Sequence, residues 1–339
     1  MTKDSPLLSV RNLRTYFYTY SGVVKALDGV HLDIYRNEIV GLVGETGCGK
    51  SLTALSIIQL VDRPGKIVDG EIWFKGENLL KKSEKEMRKA RGKDITMVFQ
   101  DPTTYLNPVY TIGEQIGEAI KLHQGSTEDK NRKSVLNRKV IEVLKLVGMP
   151  DPERIAKRYP HELSTGMRQR AMIGMMISCN PDLLVADEAT TALDVTVQAQ
   201  ILELLTKLAK QLNTSILIIT HDLGIIAETC NRVYVMYAGN IVESAETKEL
   251  FDNPLHPYTS GLLKAVPALN SSTKRLETIP GFVPNLISPP SGCRFHPRCP
   301  HKMPICVEKN PPNVKVGPDH YVSCHLIKAR TMENKRGWV

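Results

Sequence analysis

At 339 residues with 42% hydrophobic content, the chain is long enough for one large or two modest folded domains and is too apolar to be disordered or fibrous. The net charge of +8 is uneven: residues 290–339 hold 9 Lys or Arg against 3 Asp or Glu, a surplus of +6 that leaves +2 for the rest. No apolar stretch approaches the roughly 20 residues that span a bilayer, and MTKDSPLLSVRNL lacks the basic-then-apolar pattern of a secretory signal, so any membrane role is expected to be peripheral.

Leu7–Val10, Arg14–Tyr20 and Val23–Ile34 are rich in β-branched and aromatic residues and read as antiparallel strands. From about Glu38 to about Glu243, short apolar runs alternate with longer helical patterns, the rhythm of an α/β fold with a largely parallel sheet. Strands are expected at Glu38–Val43, Ile95–Phe99, Leu183–Ala186 and Ser215–Ile219. Between Thr111 and Met149 the pattern changes to two amphipathic helices, Ile112–Leu122 and Val135–Val147, joined by the polar run GSTEDKNRK; this reads as a helical insertion. Beyond Asn253, prolines at 254, 257, 267, 280, 284, 289 and 290 mark a boundary near residue 255. The expected organisation is a domain over 1–255, with a helical part at about 101–178, and a loop-rich extension over 256–339.

Gly44-Glu45-Thr46-Gly47-Cys48-Gly49-Lys50-Ser51 fits G-x-x-x-x-G-K-[ST] and lies after the strand IVGLV and before a helix that continues from Leu52, the context this phosphate-loop motif requires. Its glycines let the backbone wrap a phosphate, and the helix directs its N-H groups at the anion. Lys50 is expected to neutralise the β- and γ-phosphates and Ser51 to ligate Mg2+. Downstream, Leu183-Leu-Val-Ala-Asp187-Glu188 is an apolar strand ending in adjacent carboxylates. Alone such a run is usually structural. Beside a phosphate loop, Asp187 is expected to hold the metal's water shell and Glu188 to polarise the attacking water.

Gln100 closes the strand ITMVFQ, Leu163-Ser164-Thr165-Gly166-Met167 precedes a helix, Ala192-Leu193-Asp194 follows the carboxylates, and His221 ends the strand ILIIT. Singly each is more often a core or turn residue. In this order and placement they resemble the Q-loop, LSGGQ signature, D-loop and switch histidine of ABC nucleotide-binding domains, a P-loop NTPase fold with an antiparallel β subdomain. The resemblance implies ATP with Mg2+, the metal contacted by Ser51 and Gln100, and catalysis by Glu188 with Gln100 and His221. It also implies a second ATPase subunit, whose γ-phosphate would face Ser164 and Gly166 at the start of a helix. Thr165 and Met167 depart from LSGGQ, and a Cβ at 165 is expected to weaken the site this signature completes. For stacking on adenine, the spacing from Ala26 and the phosphate loop favours Phe17 over Tyr16, Tyr18 and Tyr20.

The runs FQDPTTYLNPVYTIGEQI and NPLHPYTSGLL resemble the D-type ATPase subunits of oligopeptide and dipeptide ABC importers over essentially the whole chain. That resemblance implies a peripheral place at the cytoplasmic face of the cell membrane and two membrane permease subunits. The second ATPase would be an F-type paralogue or another copy of this chain, and an extracytoplasmic solute-binding protein would deliver peptides. Nickel and oligosaccharide importers share the branch. A soluble ABC ATPase acting on nucleic acid would need two cassettes or a long coiled coil; with neither present, no nucleic-acid partner is expected. An iron-sulfur sensor using ATP only as an effector is disfavoured by Glu188 and His221.

Of 7 cysteines, Cys293, Cys299, Cys306 and Cys324 cluster with spacing C-x5-C-x6-C-x17-C, which points to metal before disulfides. The spacing alone leaves iron-sulfur and zinc equally open, with His296, His301, His320 and His325 available for a mixed site. Importers of this branch with the same cysteine pattern carry a 4Fe-4S cluster, which favours iron. As a staple for the extension, the centre is expected to leave nucleotide binding intact when Cys299 is removed.

Overall fold

β-branched and aliphatic runs set the strands: β1 (Leu8–Thr19), β2 (Gly22–Ile34), β3 (Ile39–Val43), β4 (Gly65–Phe74), β5 (Glu77–Asn78), β6 (Ile95–Val98), β7 (Leu183–Asp187), β8 (Ser215–Thr220), β9 (Arg232–Tyr237), β10 (Asn240–Glu246), β11 (Asn313–Gly317) and β12 (His320–Ser323). The computed structural model describes residues 5–99, 102–124, 132–189, 194–265 and 278–327. The chain divides into two compact units, one of Met1–Asp33, Val40–Leu80 and Ile219–Val339 and one of Ile34–Ile39 and Lys81–Ile218.

In the first unit, β2-β1-β4-β5 form a sheet in which β1 pairs antiparallel with β4. The two N-terminal strands expected at Leu7–Val10 and Arg14–Tyr20 are one strand. Asn12, at φ 49°, absorbs a register shift between Arg11 and Arg14, so the apolar pattern breaks at a bulge without ending the strand. A second sheet runs β11-β12-β10-β9-β3. Every residue of β3 and β9 is buried, and the two pair in parallel, Val40 opposite Arg232 and Val43 opposite Val235.

The extension adds its own strands to this sheet: β12 pairs antiparallel with β10, Glu243 opposite Val322, and β11 pairs with β12. Covering the β10 edge in this way removes a row of unpaired backbone groups. Glu243, 1% exposed, fastens the join. Its carboxylate accepts the N-H groups of Leu255 (2.8 Å) and His256 (3.0 Å) and bonds His320 Nε2 (2.9 Å).

In the second unit the order is β8-β7-β6, with β6 and β7 parallel from Ile95 opposite Leu183 to Val98 opposite Ala186. The expected insertion helices are present as Ile112–Gln124 and Arg132–Leu146, both packed on a third helix, Thr165–Ile177. Ile112, Ile116 and Ile120 recur every four residues and are buried, as are Val140 and Leu144, which gives each helix one apolar face. Among the described residues no helix is long and apolar enough to cross a membrane.

Candidate nucleotide-binding and catalytic residues

The buried strand β3 delivers the chain into the loop 44–51, and glycine is required where the loop turns. A Cβ on Gly44, at φ 154°, would stand 2.1 Å from the Met236 carbonyl oxygen on β9. Gly49, at φ 109°, caps the helix Lys50–Ile57, and a Cβ there would meet Leu27 Cδ2 at 2.7 Å. Thr46, Gly47 and Ser51 are exposed, whereas Cys48 is buried and its thiol is pushed up by that burial, which makes it an inert packing residue. Lys50 Nζ donates to the carbonyls of Gly44 (2.8 Å) and Glu45 (3.2 Å), so the ammonium lies along the loop it is expected to serve.

Two further groups hold this loop, and no motif announced them. The Glu45 N-H donates to Tyr258 Oη (2.9 Å), and the Glu45 carboxylate receives Arg298 Nη1 (2.9 Å). Phe17 is half-buried opposite Gly65 on β4. It shares a strand face with Thr15, whose hydroxyl meets Ser56 Oγ (3.0 Å) on the helix that follows the loop. Tyr16, one residue out of phase, bonds Asp28 instead (3.1 Å). His221 is exposed directly after β8, and Asp222 caps the next helix by accepting the Gly224 N-H (2.8 Å).

In the second unit, Asp187 closes β7 at 8% exposure, and Glu188 follows at φ 47°. A left-handed glutamate is strained, and such strain persists where surrounding structure imposes a particular side-chain direction. Ser164 caps the helix Thr165–Ile177 by accepting the Met167 N-H (3.3 Å). Thr165 is exposed at the first helical position, where its hydroxyl accepts from Arg168 Nη2 (3.2 Å). Gly166 faces Val197, whose Cγ1 would lie 2.9 Å from a Cβ, and Gln169 Nε2 reaches the Ala189 carbonyl (2.6 Å) beside Glu188. Asp194 caps the helix Val195–Leu212. Gln100, Ala192 and Leu193 lie outside the described residues.

Residues 27–191 match the ABC transporter family, and residues 242–306 match the C-terminal region of oligopeptide/dipeptide transporters. The Bacillus subtilis dipeptide transport ATP-binding protein DppD is 48% identical over 96% of each chain. The chain belongs to the ABC transporter ATP-binding proteins. The oligopeptide transport ATP-binding protein AppD of the same organism is 47% identical, over 97% of this chain and 99% of its own. Among solved structures, the ATP-binding cassette MJ0796, in a dimeric post-hydrolysis state bound to ADP and Pi, superposes with a TM-score of 0.62 at 26% identity. That match covers 71% of this chain and 98% of the cassette. This chain is therefore an ABC ATPase, with an ATP-binding cassette fold.

Of the four clustered cysteines of this ABC ATPase, Cys306 and Cys324 are buried and Cys293 and Cys299 are partly buried, all as free thiols. Burial pushes the Cys293 thiol up to about 11, and the neighbouring Cys324, Cys306 and Cys299 push the same way. Backbone N-H groups meet the sulfurs: Phe295 at Cys293, His301 at Cys299, and Leu326 and Ile327 at Cys324. Three of the four nearby histidines have hydrogen-bond partners: His296 Nδ1 with the Cys293 carbonyl (2.9 Å), His320 with Glu243, and His325 Nε2 with the Lys309 carbonyl (2.9 Å). Among the described residues, no three His, Cys, Asp or Glu are placed to hold a metal ion. Arg298, adjacent to Cys299, pairs with Glu45 of the phosphate loop, so the extension touches the loop it was expected to leave undisturbed.

Proposed function

We propose that this ABC ATPase energises the import of oligopeptides or dipeptides. The observation that carries the reading is near-full-length similarity to dipeptide and oligopeptide transport ATP-binding proteins, together with the matched C-terminal region at 242–306. In this reading residues 1–255 form the cassette, with a helical part at about 101–178, and 256–339 form the extension. Two ATPase subunits, this chain with an F-type paralogue or with a second copy, work beneath two permease subunits at the cytoplasmic face of the membrane. A solute-binding protein outside delivers the peptide.

The phosphate loop, with Lys50 and the N-terminus of its helix, takes the triphosphate, and Phe17 stacks on adenine. Ser51, Asp187 and Gln100 serve Mg2+, which supplies charge neutralisation for the β- and γ-phosphates. Glu188 takes the proton of the attacking water as oxygen bonds the γ-phosphorus and ADP leaves with the bridging electrons. His221 and the partner's signature serine steady the γ-phosphate charge. Closure of two chains on two nucleotides, followed by reopening after hydrolysis, drives the permease between inward- and outward-facing states. ATP turnover by the purified protein tests the catalytic core. Lys50→Ala should abolish it, and unchanged turnover would remove the loop from the mechanism.

For Cys293, Cys299, Cys306 and Cys324 we favour a 4Fe-4S cluster over zinc. The support is the cysteine spacing C-x5-C-x6-C-x17-C and its resemblance to cluster-bearing importers of this branch, although among the described residues no group of three His, Cys, Asp or Glu is placed to hold a metal ion. Such a cluster would staple the extension. Anaerobic purification followed by metal analysis tests this: iron and acid-labile sulfide of about four per chain support it, and zinc of about one per chain refutes it.

A further inference from the structure

The extension meets the phosphate loop at Glu45, by two bonds of different kind. Tyr258 Oη accepts the Glu45 main-chain N-H (2.9 Å), and Arg298 Nη1 donates to the Glu45 carboxylate (2.9 Å). Both partners are held rigidly. Tyr258 is 0% exposed and packs against Tyr237 (ring centroids 4.6 Å) and Phe295 (5.4 Å). The Arg298 side chain is 7% exposed, and its remaining nitrogens donate to the carbonyls of Pro280 (2.9 Å) and Ile279 (3.2 Å). A planar guanidinium bonded along three edges makes a fixed post.

We propose that Arg298 and Tyr258 are positioning residues for ATP binding, the tyrosine fixing the backbone of the phosphate loop and the arginine neutralising the carboxylate that the loop itself carries. The inference rests on the reading of residues 44–51 as the triphosphate site. Glu45 follows the glycine that opens this loop, so without a counter-charge its carboxylate would repel an incoming triphosphate. Arg298 removes that repulsion, and both bonds pre-order a loop that ligand binding would otherwise have to order. The extension thereby becomes part of the nucleotide site, although 253 positions separate Glu45 from Arg298 in the chain.

The test is ATP affinity of the full-length protein by fluorescence titration with a labelled ATP analogue, with unfolding temperature followed in parallel. Arg298→Ala should weaken binding by about tenfold, the order expected for one partly screened charge beside the ligand. Glu45→Gln combined with Arg298→Ala should recover most of the affinity lost in Arg298→Ala alone, because the repelling charge is gone. A merely structural arginine would not be rescued in this way. Tyr258→Phe, which keeps the aromatic packing, should weaken binding several-fold, and in each variant KM for ATP should move far more than kcat. Should Arg298→Ala fail to fold, Arg298→Lys and Tyr258→Phe carry the same comparison. Wild-type affinity in Arg298→Ala, or no recovery in the double variant, overturns the proposal. If Lys50→Ala binds ATP like the wild type, the phosphate-loop reading fails and the proposal with it.

Discussion

Acidification should destabilise the first unit through one buried histidine. His256 is 1% exposed; its Nδ1 accepts the Tyr258 N-H (3.0 Å), its own N-H goes to Glu243 (3.0 Å), and Phe295 packs at 5.7 Å. Burial lowers its pKa from 6.5 to about 4, against a smaller opposing pull from Glu243. Between those values the unfolded chain binds a proton that the folded chain refuses, so the stabilising contribution is whole above 6.5 and is lost as pH falls toward 4. The full loss is about 3 kcal/mol, and by pH 5 about 2 kcal/mol of it is gone. His256→Asn keeps an oxygen that can accept the Tyr258 N-H at this helix start and does not titrate. Urea unfolding by circular dichroism at pH 7.5 and pH 5 should show the wild type losing about 2 kcal/mol more than the variant. Equal losses in the two proteins would refute the reasoning.

Other expectations are more direct. Glu188→Gln should bind ATP with little change and lose turnover by about 100-fold or more, and retained turnover would move the base elsewhere. Gly44→Ala should lose ATP binding, since its Cβ would sit 2.1 Å from the Met236 carbonyl oxygen; normal binding would contradict the loop geometry. Thr165→Gly should raise ATP turnover of the paired subunits, and an unchanged rate would defeat the steric argument. Cys299→Ser should weaken ATP binding together with the extension's thermal stability, because Arg298 is withdrawn from Glu45; loss of stability with unaltered affinity would separate the two.

Local chemistry was legible in the sequence. The phosphate loop, the buried strand before Asp187 and the insertion helices each carry a short-range signature of glycine spacing, apolar run or helical period, and each lies where that signature pointed. Long-range pairings carry no such signal. Tyr258 is 213 positions from the loop residue it fixes, and a tyrosine after His-Pro offers nothing to suggest a bond to a phosphate loop. The extension read as loops because β11 and β12 are short; their stability comes from pairing beside β10 and from Glu243 bonding His320. Asn12 shows the converse error, a polar interruption that reads as a strand end and is a bulge. The left-handed backbone at Glu188 is likewise a tertiary effect, since glutamate has no preference for it.

The central claim, ATP-driven peptide import, is tested most directly by uptake of a labelled tripeptide into proteoliposomes holding this subunit with its permease subunits, partner ATPase and binding protein. The account predicts uptake that requires ATP and disappears with Lys50→Ala. ATP turnover without peptide uptake, or uptake of nickel or an oligosaccharide in its place, would contradict it.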